Sequence, residues 1–172
     1  MNQPHYILLP VNSLFIAFSF IAAFFLNFLP WGGMVGVPDF VALVLVFWSI
    51  HQPLKVGIGV AFAMGLVMDV HDAIYLGENA LAYTLLSYFA ITIHRRVLWF
   101  HPVTQCLHVF PLFLFVQGLQ TGVRLLIAPE AHFPGWLYFS QSLVTTLLWP
   151  VATLILLAPQ RRAIDKDHNR PI

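Results

Sequence analysis

The chain has 172 residues, of which 59% are hydrophobic and 9% charged, with eight basic and seven acidic side chains and a net charge of +1. A mean hydropathy of +0.81 excludes an ordinary soluble domain, in which about a quarter of residues are charged. Cys106 is the single cysteine, which excludes an internal disulfide and leaves thiol chemistry without local support.

Apolar runs of about 17–25 residues are long enough to cross a bilayer. They predict an all-α integral membrane protein with six transmembrane helices in one polytopic membrane domain, residues 1–172. The first span, 11–29, has no Lys or Arg before it and no small-x-small cleavage signal after it, so it is expected to be retained. The second and third, 34–50 and 54–70, are short and contain Gly and Pro, which leaves a tilted or re-entrant hairpin open. The fourth, fifth and sixth are 79–93, 103–127 and 136–158, followed by a basic tail, 159–172.

Charge orients these spans. Lys55, Arg95, Arg96, Arg161, Arg162, Lys166 and Arg170 all fall on one side, whereas the opposite segments hold Asp72, Glu78 and Glu130 but no Lys or Arg. The positive-inside rule then puts both termini in the cytoplasm. Trp31, Tyr75, Trp136 and Tyr138 are expected at the outer interface, with Tyr6 and Trp99 at the inner one.

Gly57, Ala61 and Gly65 recur every four residues, a ridge of small residues on which another helix or a partner can approach closely. Asp69 continues the series with a modest rotation and should face protein rather than lipid. Arg124 lies within the fifth span on a stripe with Gln117, Gln120 and Thr121. A partly desolvated guanidinium needs a carboxylate or several carbonyls, and Asp69 or Asp39 is the expected partner. Tyr83, Thr84, Ser87, Tyr88 and Thr92 in the fourth span, with Ser142, Thr145 and Thr146 in the sixth, suit interhelical hydrogen bonds or the wall of an outward cavity.

Asp69, His71, Asp72 and Glu78 cluster at an expected outer turn, but their spacing matches no defined metal site. Asp72 and Glu78 read as hydrated loop carboxylates. No nucleophile elbow, phosphate loop or dinucleotide fingerprint appears, so neither an enzyme, a cofactor, a metal nor a nucleic-acid partner is expected. Arg95 and Arg96 fit topology alone, or attraction to anionic lipid.

The run Gly65-Leu66-Val67-Met68-Asp69-Val70, followed by Leu76-Gly77-Glu78-Asn79-Ala80-Leu81, resembles the signature of the rod shape-determining MreD family. In that family a Gly-Leu-x-x-Asp helix end leads through a short loop to Leu-Gly-x-Asn-Ala-Leu. Pro38-Asp39, Gln52-Pro53, the Gly57–Gly65 helix and the Arg95-Arg96 pair also look like the family, and the resemblance covers essentially the whole chain. Ala73 stands where many relatives have glycine. The resemblance implies a non-catalytic component of the bacterial inner membrane, binding MreC. It also implies looser association with MreB, RodZ, RodA and the elongation-specific penicillin-binding transpeptidase, to guide peptidoglycan synthesis and cell shape. The implied fold is similar to the six-helix substrate-binding subunits of energy-coupling-factor transporters. Two readings follow: a scaffold that binds a partner's transmembrane helix, or a transporter subunit that binds a small molecule or lipid in an outward pocket.

Overall fold

The computed structural model describes residues 7–8, 11–32, 36–72, 75–127 and 135–162, and in it the apolar runs are helical. The helices are α1 (Ser13–Phe28), α2 (Phe40–His51), α3 (Ile58–Asp72), α4 (Glu78–Val97), α5 (Pro102–Ile127), α6 (Ser140–Leu147) and α7 (Trp149–Leu157). The one pairing of extended chain among the described residues is a two-residue antiparallel contact between β1 (Ile7–Leu8) and β2 (Arg161–Arg162).

Local chemistry sets the helix ends. Asn12 caps α1 by accepting from the Leu14 N–H at 3.0 Å, and Asp39 caps α2 by accepting from the Ala42 N–H at 2.9 Å. The predicted sixth span is broken between α6 and α7, where Pro150 has no N–H to give the Thr146 carbonyl. The Cys106 thiol donates to that carbonyl instead, at 3.5 Å.

Helix α2 occupies the interior. Every residue from Val41 to Ile50 is buried, as expected of a helix that is apolar on all faces. Its 12 residues span about 18 Å, short of the roughly 30 Å of bilayer hydrocarbon. Two indoles lock this core: Trp48 Nε1 donates to Ser19 Oγ at 2.8 Å, and Trp149 Nε1 donates to Gln105 Oε1 at 2.9 Å. Ser49 and Ser87 bridge α2 to α4 at 3.0 Å.

The periphery is also apolar. Leu14, Phe18, Ile21 and Phe25 form an exposed stripe on α1, and Val151, Leu154 and Ile155 are exposed on α7. Exposed apolar faces of this extent mark a lipid or protein contact surface. Two segments, Pro102–Ile127 and Trp136–Gln160, are long and apolar enough to cross a membrane.

Several boundaries differ from expectation. The third helix starts at Ile58 and runs to Asp72, and the fourth runs from Glu78 to Val97. The second starts at Phe40, where Asp39 caps it, and residues 34–35 at the start of its predicted span lie outside the described residues, as does Ala73. Hydropathy averages over many residues, whereas a cap acts at one.

The small-residue ridge is occupied within the chain. Ala61 and Gly65 are buried, and α3 packs most extensively on α4. A Cβ on Gly65 would overlap the Ala80 Cα and lie 2.6 Å from the Asn79 carbonyl oxygen, so glycine is required for the approach. Gly57 precedes α3, and a Cβ there would meet only the Pro53 carbonyl at an ordinary 3.7 Å. The expected helix-packing or partner face is corrected at one position: Ala61 and Gly65 are buried in α3, whereas Gly57 precedes the helix and is not part of it.

Gly65→Ala should cost about 1–3 kcal/mol by overpacking and lower the thermal midpoint in detergent. Gly57→Ala should leave the midpoint nearly unchanged, and equal effects would refute this division.

Candidate functional site

One end of the helix bundle gathers the four described carboxylates, Asp39, Asp69, Asp72 and Glu78, and it is built around the N-terminus of α4. The first turn of any helix leaves amide N–H groups without partners, a serious cost where water is scarce. Here Asp69, at the end of α3, supplies the acceptors. Its Oδ1 accepts from the Asn79 N–H at 2.7 Å, and its Oδ2 accepts from the Gly77 and Ala80 N–H groups at 2.8 and 3.2 Å. The carboxylate also sits at the positive end of the α4 dipole. Gly77 makes the turn with φ +100°, a left-handed conformation that glycine adopts without penalty.

Asp39 is a second hub. Besides capping α2, its Oδ1 accepts from Asn27 Nδ2 at 3.1 Å and its Oδ2 accepts from the Tyr83 hydroxyl at 2.7 Å. Its own N–H donates to Thr145 Oγ1 at 3.1 Å, and Asn27 Oδ1 accepts from the Phe40 N–H at 2.9 Å. The Asp39 carboxylate thus joins α1, α2 and α4, and its backbone N–H adds α6.

With both aspartates occupied, Arg124 takes a different partner. Its Nε donates to Glu78 Oε1 at 2.6 Å, and the Glu78 side chain is only 2% exposed. The expected pairing of Arg124 with Asp69 or Asp39 is corrected accordingly. The reason is that α4 starts at Glu78, turning that residue from a supposed loop carboxylate into a buried first-turn residue facing α5.

Beside this pair, Asn79 Oδ1 accepts from Gln120 Nε2 at 2.7 Å and Asn79 Nδ2 donates to Asp72 Oδ2 at 2.9 Å. Asp72, which contacts His71 at 3.2 Å, ends α3 rather than standing in a free loop. The stripe on α5 faces its neighbours: Gln117 Nε2 donates to the Tyr138 carbonyl at 2.7 Å and to Gln141 Oε1 at 3.1 Å, while Ser142 Oγ donates to Gln117 Oε1. Of the small polar residues on α4 and α6, Tyr83, Ser87, Ser142 and Thr145 make bonds between helices. Thr84, Thr92 and Thr146 donate to carbonyls of their own helices.

These side chains surround a polar cavity of about 190 Å³ whose walls include Asp39, Asp72, Asn79, Tyr83, Gln120 and Arg124. Tyr138 lines it as well, instead of serving only as an interfacial anchor. Asp69 belongs to the α4 cap beneath it. Leu76, the remaining signature residue, is 78% exposed and joins no part of this network. Arg95 and Arg96 lie at the far end of α4, and Arg161 and Arg162 pair through their backbone with β1, so these four arginines are not part of this site. Among the described residues, no group of three His, Cys, Asp or Glu is placed to hold a metal.

Asn27 and Gln141 were not singled out from sequence, and Glu78 was read as a loop carboxylate rather than as the partner of Arg124. Glu78 had a usable signal, since an acidic residue directly after a glycine turn favours a helix start. Asn27 and Gln141 had none, because their partners are 12 and 24 residues away.

A family model described as "rod shape-determining protein MreD" matches residues 8–159. This chain belongs to the MreD family. A Rod shape-determining protein MreD from Haemophilus influenzae is 28% identical over 149 residues, covering 83% of this chain and 88% of the relative. No solved structure matches. MreD proteins are membrane proteins with a role in rod shape determination, and the family is a shape-determining one rather than a family of enzymes. Gly65, Asp69, Gly77 and Asn79 thus form one structural device: Gly65 permits the approach, Asp69 accepts the amides, and Gly77 and Asn79 shape the turn.

Asp69→Asn should lower stability by about 1.5–3 kcal/mol, the range for hydrogen bonds to a charged group; Asp72→Asn should cost clearly less. Arg124→Leu leaves Glu78 buried without its counter-ion and should destabilise strongly, with part of the loss recovered in the Arg124→Leu, Glu78→Gln double variant. Thermal midpoints of the four proteins in one detergent check both statements, and a double variant no better than Arg124→Leu would refute the pairing.

Proposed function

We propose that this chain is a non-catalytic, multi-pass component of the bacterial inner membrane that binds MreC and through it helps control peptidoglycan synthesis and rod shape. Both termini are cytoplasmic in this reading, and six membrane-embedded segments are arranged as in the substrate-binding subunits of energy-coupling-factor transporters. MreB, RodZ, RodA and the elongation transpeptidase are the wider complex. Membership of the MreD family is the observation that carries this reading.

In this reading MreC docks away from the small-residue face of α3. Since α4 covers the Gly65 face, that ridge is closed to a partner. An open apolar groove of about 280 Å³ between α1 and α7 takes its place, with Phe18, Ala22 and Leu26 on one wall, Val151 and Ile155 on the other, and Leu43 of α2 at its floor. Small residues such as Ala22 favour close helix approach. A transmembrane helix from MreC is the occupant proposed here.

The polar cavity favours a second reading, in which a small polar solute binds at the acidic end as in a transporter subunit. A solute or an ATPase subunit that co-purifies with this chain would favour that reading.

Photo-crosslinkers placed singly at Phe18, Ala22, Val151 and Ile155 should capture MreC in cells, whereas crosslinkers at Ala61 and Met68 should not. Absence of MreC from every groove position would remove the groove, and its failure to co-purify with the intact chain would remove the scaffold reading itself.

A further inference from the structure

The opposite end of α4 carries a second cavity that plays no part in the reading above. Arg95 and Arg96 close the last turn of α4, the chain turns through Leu98–Phe100, and α5 begins at Pro102. The corner encloses an open space of about 540 Å³ lined by Arg95, Arg96, Trp99, Phe100 and His108.

Three observations bear on what fills it. First, both arginines are exposed and neither forms an ion pair among the described residues, because the four described carboxylates, Asp39, Asp69, Asp72 and Glu78, all lie at the other end of the bundle. Two adjacent guanidiniums without a protein counter-ion suit phosphate, which arginine binds with paired N–H donors. Second, the wall opposite is aromatic: the His108 ring stacks on Phe100 with centroids 4.8 Å apart, and its buried Nδ1 has no hydrogen-bond partner among the described residues. Third, apolar surface continues from the corner, since Trp99 is 89% exposed and Val103 and Leu107, one turn apart on α5, are 65% and 75% exposed. A charged head beside an apolar track describes an amphiphile, not a free anion.

We propose that this corner binds an anionic membrane phospholipid, its phosphate on Arg95 and Arg96, its headgroup against Trp99 and His108, and an acyl chain along Val103 and Leu107. Arginines serving topology alone need no aromatic cavity beside them. Basic pockets flanked by interfacial tryptophan are the usual lodging of such headgroups.

The test is native mass spectrometry of the full-length protein released from nanodiscs containing equal phosphatidylglycerol and phosphatidylcholine. Two arginines should favour the anionic lipid by about thirtyfold, at the usual increment per basic residue. Arg95→Gln with Arg96→Gln should abolish that preference, while Arg161→Gln with Arg162→Gln should leave it unchanged. Arg95→Lys with Arg96→Lys keeps both charges, and so the topology, yet should weaken the preference severalfold. Trp99→Ala should weaken it with all charges kept. Millimolar inorganic phosphate should not displace the lipid. Full preference in the Gln pair would overturn the proposal; so would Lys-pair and Trp99→Ala proteins both equal to the parent, which would mean diffuse surface charge. Displacement by phosphate would mean a free-anion site instead.

Discussion

The arrangement of the acidic end depends on three amide N–H groups that open α4 and the single carboxylate that accepts them. In a largely apolar surrounding these amides have no water to turn to, so Asp69 must reach them from α3. That reach sets how close the two helices lie. Close packing in turn admits no side chain at position 65, and the connecting turn needs a left-handed residue at Gly77. Residues that look like a string of motif positions are one mechanical unit.

The same solution appears twice. Asp39 caps α2 and, with its remaining lone pairs, holds Asn27 of α1 and Tyr83 of α4. Each aspartate satisfies a helix terminus first and ties neighbouring helices second. Because the two have little acceptor capacity left, Arg124 turns to Glu78, which the α4 cap has just oriented toward α5. A hierarchy of needs, backbone amides before side-chain cations, accounts for the pattern of pairing.

The molecule is electrically polarised along the bundle. The four described carboxylates converge at one end around a polar cavity, while Lys55, Arg95 and Arg96 occupy the other. Between them α2 is buried from Val41 to Ile50. A partner helix must therefore engage the peripheral helices, and a solute or lipid headgroup the ends. For a member of a shape-determining membrane family, these are distinct surfaces on which separate contacts can be made without competing.

By itself the sequence determined the helical class, the approximate positions of the apolar segments, the segregation of charge and the family. These depend on composition and on periodicity within a single segment, which are local properties. The alignment of Gly65 with Asp69 was legible for the same reason: four residues is close to one helical turn. Tertiary structure decided which carboxylate serves which partner. Moving the start of α4 to Glu78 brought that residue into the interior, and only the packing of α3 on α4 showed that Asp69 is consumed by backbone amides rather than by Arg124. Likewise, Gly57 and Gly65 are equivalent by spacing, yet only at Gly65 does the backbone of another helix come too close for a side chain. Such choices rest on contacts between residues distant in sequence, where a shift of one or two residues at a helix end changes which groups meet.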